Sequence, residues 1–316
     1  TEGLRGITYE NSTFVAVGAS STILTSSDGT TWTSVSSGDS GNSWTTVTSP
    51  SSNHFKGVTF GNNTFVAVSD GIIGYNHTSL YDGNIVRSTD NGTTWDNVTS
   101  PTGNHLLGVT FGNNTFVAVG DYGKMVRSTD NGTTWHNATH DDIQNSANWG
   151  VVFGNNTFVG VGSVGNIVRS TDNGLSYISS RTYNNNLTSP TSKHLWAVSF
   201  GNNTFVAVGM EGTIVRSADN GTTWDNATSP TANSLYGVGF GNNTFVAVGS
   251  NGTIVKSTDN GTTWDNATSP TANSLWGVGF GNNSFVGVGG HIVRSSDNGS
   301  SWDNVTSTYS LMFVTF

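Results

Sequence analysis

Acidic, basic and aromatic side chains recur together along the chain in a string with the pattern S-x-D-x-G-x-x-W. One copy spans residues 257–264, and its acidic residue is Asp259. A carboxylate can act as a general acid, a general base or a nucleophile, and an arginine can bind an anionic ligand. Near-copies span 88–95, 128–135, 217–224 and 295–302, and a weaker copy spans 170–177. Near the start of the chain, the copy at 26–32 is one residue short, and residues 37–44 fit the spacing again. The residue before the serine is basic in six copies: Arg87, Arg127, Arg169, Arg216, Lys256 and Arg294.

The repetition argues against catalysis by these residues, since a residue present in every repeat cannot mark one active site. The string suits a turn instead: Asp259 can accept backbone N–H bonds from the loop ahead of it, and Asn260–Gly261 tolerates unusual backbone angles. Trp264 can bury its ring against a neighbouring strand, where its N–H needs a partner. The basic residues, spread one per repeat, are interpreted as structural for the same reason.

A second marker, F-G-N-N-T-F-V-A-V-G, accompanies the first and predicts the fold. Its second phenylalanine falls at Phe14, Phe65, Phe116, Phe158, Phe205, Phe245 and Phe285. Most copies lie 40 to 51 residues apart, which is the period of a four-stranded propeller blade. In one blade we expect strand A at 235–240, strand B at 244–248, strand C at 253–257 and strand D from Thr262 past Trp264. The sequence therefore predicts one all-β domain over 1–316, a seven-bladed β-propeller of four-stranded antiparallel blades.

The S-x-D-x-G-x-x-W string resembles the Asp-box of sialidase-like and photosystem-assembly-factor-like β-propellers. The resemblance implies the propeller fold. A sialidase would also need three arginines converging on one carboxylate, a tyrosine with a glutamate partner, and an acidic aspartate. Here five of the seven arginines are spread one per blade, and the glutamates are Glu2, Glu10 and Glu211. We therefore assign no catalytic residue and expect no enzyme, with a sialidase-like glycoside hydrolase as the least favoured alternative.

Composition excludes several other classes. The net charge is -9, with 20 acidic and 11 basic residues, so the basic stripe that nucleic-acid binding requires is missing. No apolar run approaches the ~20 residues of a membrane span. The chain has no cysteine and begins at Thr1 without a signal peptide, which we interpret as a processed form. The sequence carries no cofactor motif.

Departures from the repeat are the best candidates for binding. They are the stretches 36–48, 70–82, 140–142 and 179–192, and in an up-down-up-down blade they all fall on the face that carries the B–C and D–A connections, here called the long-loop face. The predicted contacts for a carbohydrate or a partner protein are Tyr75, Tyr81, Arg181 and Tyr183. We expect Tyr81→Ala to weaken such binding.

Metal sites have weak support in the sequence. His54, His105 and His194 occupy equivalent places before strand A and could line the axial opening. Asp141 and Asp142 could bind Ca²⁺, but two adjacent carboxylates on a loop are more often simply solvated. We therefore predict no metal.

The chain contains 20 N-x-S/T sequons for N-glycosylation. Duplicated turns explain most of them, but the asparagine two residues after the box tryptophan lies where no turn requires it. We therefore expect covalent N-glycans at some sites, and an extracellular or cell-surface location. The sequons are at Asn11, Asn62, Asn76, Asn91, Asn97, Asn113, Asn131, Asn137, Asn155, Asn186, Asn202, Asn220, Asn226, Asn242, Asn251, Asn260, Asn266, Asn282, Asn298 and Asn304.

The C-terminal residues 311–316 align with strand A and would be an eighth copy. They would either add to a sheet edge within the chain or complete a neighbouring molecule. With the repeat uniformity and the sequons, this favours a non-enzymatic surface protein that assembles into a homo-oligomer, filament, sheath or surface layer. The alternative is a carbohydrate- or protein-binding module that uses the long-loop face.

Overall fold

A computed structural model describes residues 4–10, 12–19, 22–29, 33–35, 53–70, 83–140, 146–181 and 186–305. Seven sheets surround one axis, and each contains a four-stranded antiparallel blade whose strands A to D follow one another along the chain; the fourth sheet has a fifth strand at its outer edge. The seven-bladed propeller predicted from the repeats is confirmed.

The first three blades are made of strands β1 to β12. Blade 1 holds β1 (Leu4–Glu10), β2 (Thr13–Gly18), β3 (Ile23–Ser26) and β4 (Thr33–Val35). Blade 2 holds β5 (His54–Gly61), β6 (Thr64–Asp70), β7 (Ile85–Ser88) and β8 (Asp96–Val98). Blade 3 holds β9 (Leu106–Gly112), β10 (Thr115–Gly120), β11 (Met125–Ser128) and β12 (His136–Asn137).

The remaining blades continue the pattern. Blade 4 holds β14 (Asn148–Gly154), β15 (Thr157–Gly162), β16 (Ile167–Ser170) and β17 (Ser176–Ser179), and β13 (Thr139–His140) pairs in parallel with β17 at its outer edge. Blade 5 holds β18 (Leu195–Gly201), β19 (Thr204–Gly209), β20 (Ile214–Ser217) and β21 (Asp225–Asn226). Blade 6 holds β22 (Leu235–Gly241), β23 (Thr244–Gly249), β24 (Ile254–Ser257) and β25 (Asp265–Asn266). Blade 7 holds β26 (Leu275–Gly281), β27 (Ser284–Gly289), β28 (Ile292–Ser295) and β29 (Asp303–Asn304).

Strand B forms the centre of each blade and is buried on both faces, so it is a continuous apolar run. In blade 6, for example, every residue of β23 is buried, and Phe245 is fully enclosed. The apolar clusters lie between neighbouring blades: Val206 and Val208 of blade 5 pack with Leu235 and Trp264 of blade 6. The core is therefore a ring of interfaces between blades, and each blade depends on its neighbours.

The ring closes by packing β1 against β26, which brings the first blade against the last. Val286 and Val288 share an apolar cluster with Leu4 and Phe14. Seven complete sheets thus surround the axis without the 311–316 segment. That segment lies outside the described residues, so its role in assembly stays a prediction.

Several of the described connections between strands use residues with positive φ. In the A–B turn of blade 6, Asn242 and Asn243 have φ values of 45° and 59°. Asparagine and glycine tolerate this region, which explains the G-N-N sequence at this turn. The expected turn chemistry is confirmed.

The outer strand differs from its prediction. Strand D of blade 6 begins at Asp265, after Trp264, rather than at Thr262. The cause is the box itself, since the backbone N–H groups of Thr262 and Thr263 donate to the carboxylate of Asp259 and cannot join the sheet. The described D strands are two to four residues long, and short edge strands offer little to pair with another chain.

Candidate functional site

The S-x-D-x-G-x-x-W string is a closed hydrogen-bonded turn. In blade 6 the Ser257 hydroxyl donates to Asp259 Oδ1 at 2.8 Å and accepts the Gly261 N–H at 2.9 Å. The Thr263 hydroxyl donates to Asp259 Oδ2 at 2.7 Å. Trp264, which is buried, donates its Nε1–H to the Gly261 carbonyl at 3.1 Å. The carboxylate is thus engaged within its own turn, as the structural interpretation predicts.

Four of the six basic residues that precede a box serine, namely Arg87, Arg169, Arg216 and Lys256, reach the box of the following blade. Arg169 Nε donates to the Asn220 carbonyl at 2.8 Å, and Arg216 Nε donates to the Asn260 carbonyl at 3.1 Å. Lys256 Nζ donates to the Ser300 hydroxyl at 2.6 Å. These cations link neighbouring blades and do not converge on one ligand.

The hydrogen bonds of the box lower the pKa of its carboxylate. At Asp297 the Ser301 hydroxyl is the largest cause, and the pKa falls to about 2. At Asp130 partial burial is the largest single influence and raises the pKa, but hydrogen bonds from Thr134 and Ser128 together outweigh it, and the pKa also falls to about 2. The carboxylates are therefore ionised in the folded chain at neutral pH.

Acidification is expected to destabilise the propeller between about pH 4 and pH 2. An unfolded aspartate titrates near pH 3.9, whereas the box carboxylates titrate lower when folded, so the unfolded chain binds more protons in this window. The stabilisation is complete above the unfolded pKa and is lost as the pH falls through the folded value. Urea unfolding at pH 5, 4, 3 and 2 measures it. Asp259→Asn removes one of these carboxylates and should make the free energy of unfolding less dependent on pH than in the wild-type chain; an unchanged slope would contradict the assignment.

Blade 4 carries Tyr177 where the other described boxes carry tryptophan. The ring is 2% exposed, burial raises the pKa of its hydroxyl, and within the described residues that hydroxyl has no hydrogen-bond partner. The equivalent tryptophans donate to a glycine carbonyl instead, as Trp224 does to Gly221 at 3.1 Å. A buried hydroxyl without a partner costs stability.

Tyr177→Phe is therefore expected to raise the free energy of unfolding by about 1 kcal/mol. Chemical denaturation followed by circular dichroism measures the change. The control is Trp264→Phe, which removes a hydrogen bond that is made and should lower the free energy of unfolding. A stability loss in Tyr177→Phe would show that the hydroxyl is used.

A β-bulge occurs near the start of strand A in every blade. In blade 3, Leu106 pairs with Gly120 and Gly108 with Val119, so the residue between them has no partner on strand B. The same shift occurs in the other six blades. Bulges redirect a side chain, and these place one half-buried residue per blade around the axis. The bulge residues, in ring order, are Arg5, Lys56, Leu107, Trp149, Trp196, Tyr236 and Trp276.

These seven residues form the axial mouth, the rim of a cavity of about 490 Å³ on the propeller axis. Strand A starts beside the end of strand B, so the mouth opens on the long-loop face. Below the rim the walls are small and apolar, with Gly57, Gly150 and Val198 among the lining residues. The cavity is thus an apolar well with a chemically varied rim.

The rim is divided into two sectors. Trp149, Trp196, Tyr236 and Trp276 occupy four consecutive blades and are named the aromatic arc. Arg5 and Lys56 occupy the next two blades, and we name them the cationic pair. Leu107 completes the ring. The chemistry therefore changes from apolar to positively charged across the opening.

Three rings of the aromatic arc contact one another in succession. The ring centroids of Tyr236 and Trp276 lie 4.4 Å apart with planes 20° apart, and those of Trp196 and Tyr236 lie 5.0 Å apart. Arg5 Cζ lies 4.3 Å from the centroid of Trp276, a cation–π distance. Trp149 meets His194 edge-on at 5.2 Å. The rings therefore support one another and hold fixed positions.

The ring edges carry the hydrogen-bonding groups. In the described part of the chain, the indole N–H groups of Trp149, Trp196 and Trp276 and the hydroxyl of Tyr236 make no hydrogen bond with protein atoms. Lys56 Nζ lies 2.8 Å from Asp70 Oδ2. The rim thus offers donors and positive charge to an incoming molecule.

The predicted binding residues are only partly described. Arg181 is exposed, and its backbone N–H donates to the Ser179 hydroxyl at 3.1 Å. Tyr75, Tyr81 and Tyr183 lie outside the described residues, so their use in binding together with Arg181 stays a prediction.

The three histidines make separate local contacts instead of a cluster. His105 Nδ1 lies 3.0 Å from Asp121 Oδ2. His194 Nδ1 accepts the Val164 N–H at 2.9 Å. Among the described residues no group of three His, Cys, Asp or Glu side chains could hold a metal ion, and Asp141 and Asp142 lie outside them.

The outer-strand sequons have a structural role that the sequence did not reveal. Asn137 Nδ2 donates to the Pro101 carbonyl at 3.3 Å, and Asn304 Nδ2 donates to the Pro270 carbonyl at 3.2 Å. Asn226 and Asn266 make the same bond in their blades. It ties the outer strand to the link that enters the blade, so the asparagine makes a structural contact in each of these four blades. This hydrogen bond is a second explanation for asparagine at the position, beside the predicted glycan, and glycosylation itself stays a prediction.

Sequence reasoning missed the axial mouth, although a signal was present. Strand A reads L-x-G-V-x-F-G with small changes, and its second position holds Arg, Lys, Leu, Trp, Trp, Tyr and Trp in the seven blades. That position varies in chemistry while its neighbours stay nearly constant. The variation that identifies the mouth is therefore a single residue inside each blade, and the longer loops between strands do not reveal it.

The described residues include no helix long and apolar enough to cross a membrane.

Comparisons with solved structures identify propellers. The chain is similar to YCF48 bound to D1 peptide, with a TM-score of 0.67 and 16% sequence identity over 92% of this chain and 89% of that chain. It is similar to YCF48 from Cyanidioschyzon merolae, with a TM-score of 0.65 and 17% identity over 92% and 93% of the chains. A GH74 enzyme from Niastella koreensis matches with a TM-score of 0.69 and 15% identity over 95% of this chain and 53% of that chain.

No protein-family model and no curated protein sequence matches the chain. The propeller fold implied by the resemblance is confirmed. That fold is shared with a peptide-bound protein and with an enzyme, so the fold alone assigns no activity.

Proposed function

We propose that this propeller is a protein-binding module that takes a peptide segment of a partner into its axial mouth. The observation that carries the proposal is the set of seven bulges, which bring the aromatic arc and the cationic pair to one opening on the long-loop face. The bulge side chains are aromatic, aliphatic or cationic, a set suited to holding a ligand. None is a carboxylate or a histidine that could move protons, which favours binding over catalysis.

The geometry favours a peptide over a carbohydrate. A sugar ring packs best on an open aromatic face, but Tyr236 stacks on Trp276 and Arg5 covers Trp276 as well. The arc therefore presents ring edges with N–H and O–H donors, which match the carbonyl groups of a peptide. The structurally similar protein YCF48 has been solved bound to D1 peptide, which is consistent with a propeller of this fold binding a peptide.

A peptide array tests the proposal. The wild-type chain is expected to retain a subset of peptides, and Trp196→Ala should weaken their binding at least about tenfold, since a buried aromatic contact in an interface is worth more than 1 kcal/mol. Lys124→Gln, on the same face but outside the mouth, is the control and should bind normally. Binding that survives Trp196→Ala and Arg5→Gln unchanged would contradict the proposal.

We also propose that the chain is an extracellular or surface glycoprotein. The sequon asparagines that the structure describes are mostly exposed, for example Asn62, Asn113 and Asn266. Mass spectrometry of the native protein should find hexose-bearing peptides at such sites. Unmodified asparagine at all of them would contradict this proposal.

A further inference from the structure

The charge of the axial mouth is opposite to that of the chain. The net charge is -9, yet the two charged bulge residues, Arg5 and Lys56, are both cationic. Their places in neighbouring blades concentrate the positive charge in one sector of the rim. We infer that the mouth captures a peptide by one carboxylate group, an inference that rests on the proposed binding function.

Arg5 is positioned to bind a carboxylate group. Its guanidinium carbon lies 4.3 Å from the centroid of the Trp276 ring, and this cation–π contact helps to hold the group at the rim. Its Nε is buried and has no partner among the described residues. No described acidic side chain forms an ion pair with Arg5. A planar, positioned guanidinium binds a carboxylate through two parallel hydrogen bonds.

Lys56 contributes differently, because it is already paired. Its ammonium lies 2.8 Å from Asp70 Oδ2, and Asp70 Oδ1 is buried without a partner among the described residues. Arg5, Lys56 and Asp70 together carry one net positive charge. One ligand carboxylate would neutralise this sector, whereas a second would meet an excess of negative charge.

The aromatic arc selects the part of the ligand next to the carboxylate. Trp196, Tyr236 and Trp276 continue the stack that begins with Arg5, and their ring edges carry N–H and O–H donors. Peptide carbonyls beside the carboxylate can accept these bonds, and an apolar side chain can enter the well below the rim. The expected ligand is therefore a peptide with a carboxylate at the cationic pair and carbonyls along the arc.

The carboxylate has two sources, a free C-terminus and an Asp or Glu side chain, and one experiment separates them. Four sets of immobilised random hexapeptides combine a free-acid or amidated C-terminus with the presence or absence of Asp and Glu. The wild-type chain is expected to retain at least one carboxylate-bearing set about tenfold better than the amidated set without Asp or Glu. Whichever carboxylate set is enriched identifies the source.

Variants assign the selectivity to Arg5. Arg5→Gln should abolish the preference, and Arg5→Lys, which keeps the charge but not the fork, should retain part of it. Lys124→Gln is the matched control and should keep the full preference. Circular dichroism and urea unfolding establish that each variant is folded before it is tested.

The outcomes also separate the inference from the function on which it rests. Equal retention of all four sets, lost in Trp196→Ala, would overturn carboxylate capture while supporting peptide binding at the mouth. Retention of no set, or retention that no mouth variant changes, would overturn both. Binding of hexuronate oligosaccharides in place of peptides would also overturn the inference, since it would identify an acidic sugar as the ligand.

Discussion

Trp224→Ala is expected to lower the free energy of unfolding by about 3–5 kcal/mol, the usual cost of truncating a buried tryptophan. The ring is 5% exposed and lies 6.4 Å from Phe205 in its own blade. It also joins Val159 and Ile167 of the preceding blade in one apolar cluster. Truncation would therefore open a cavity between blades 4 and 5 and leave the Gly221 carbonyl without its donor.

Trp196→Ala makes the same chemical change at the axial mouth and is the matched control. Its ring is half-buried and packs on Tyr236 at the rim, outside the cores between blades. We expect a small loss of stability and a large loss of peptide binding. Urea unfolding and peptide retention of both variants measure the two effects. Equal stability losses would mean that the mouth, too, is part of the structural core.

The sequence predicts the roles of these two tryptophans unequally well. The box tryptophans recur at a fixed spacing, so their structural role follows from repetition. The strands of blade 6 were predicted to within one residue for A, B and C, because alternating turn residues and apolar runs determine them. Strand D was placed too early because the box hydrogen bonds to Asp259 depend on the folded turn.

The axial mouth could not be derived from periodicity. A bulge changes which side chain faces the axis, and it follows from pairing between strands, such as Leu106 with Gly120 and Gly108 with Val119. The pattern of apolar and polar residues along one strand does not determine its register with the neighbouring strand. Periodicity alone therefore does not distinguish Trp196 and Arg5 from other strand A residues, whereas Tyr75, Tyr81 and Tyr183 stand out because they lie in segments that depart from the repeat.

The same distinction explains the asparagine after the box tryptophan. Its spacing is visible in sequence, but its partner is a proline carbonyl 36 residues earlier, as for Asn226 with Pro190. A contact between residues so far apart in the chain depends on the folded propeller and cannot be predicted from the local sequence. The sequon at this position therefore has two possible uses, and the folded chain identifies the structural one.

Gly241→Ala is expected to destabilise the propeller by about 3 kcal/mol, near the upper range for overpacking. A Cβ at Gly241 would lie 2.0 Å from Cγ of Phe280 in the next blade. Contacts this close recur at five other blade junctions, at Gly61, Gly112, Gly154, Gly201 and Gly281. The φ of Gly241 is not in the left-handed region, so alanine meets no backbone strain, and the cost is the clash between neighbouring inner strands.

The matched control is Gly287→Ala, also a glycine inside a strand. Five blades carry alanine at the equivalent place, including Ala207 and Ala247, both fully buried. A Cβ there would lie 2.9 Å from Cγ2 of Val293, a side-chain methyl that can move. Gly287→Ala should therefore change the free energy of unfolding by less than about 1 kcal/mol, since the lower entropy of the unfolded chain offsets a small adjustment.

A double variant tests the cause of the Gly241→Ala effect. Phe280→Ala alone should destabilise by loss of its ring contact with Phe285 at 4.7 Å. Combined with Gly241→Ala, it removes the atoms that clash, so the double variant should be more stable than the sum of the two single losses predicts. Additive losses in urea unfolding would contradict the steric account. Coupling would show that Gly241 allows the inner strands of blades 6 and 7 to pack closely, because its missing side chain leaves room for the ring of Phe280.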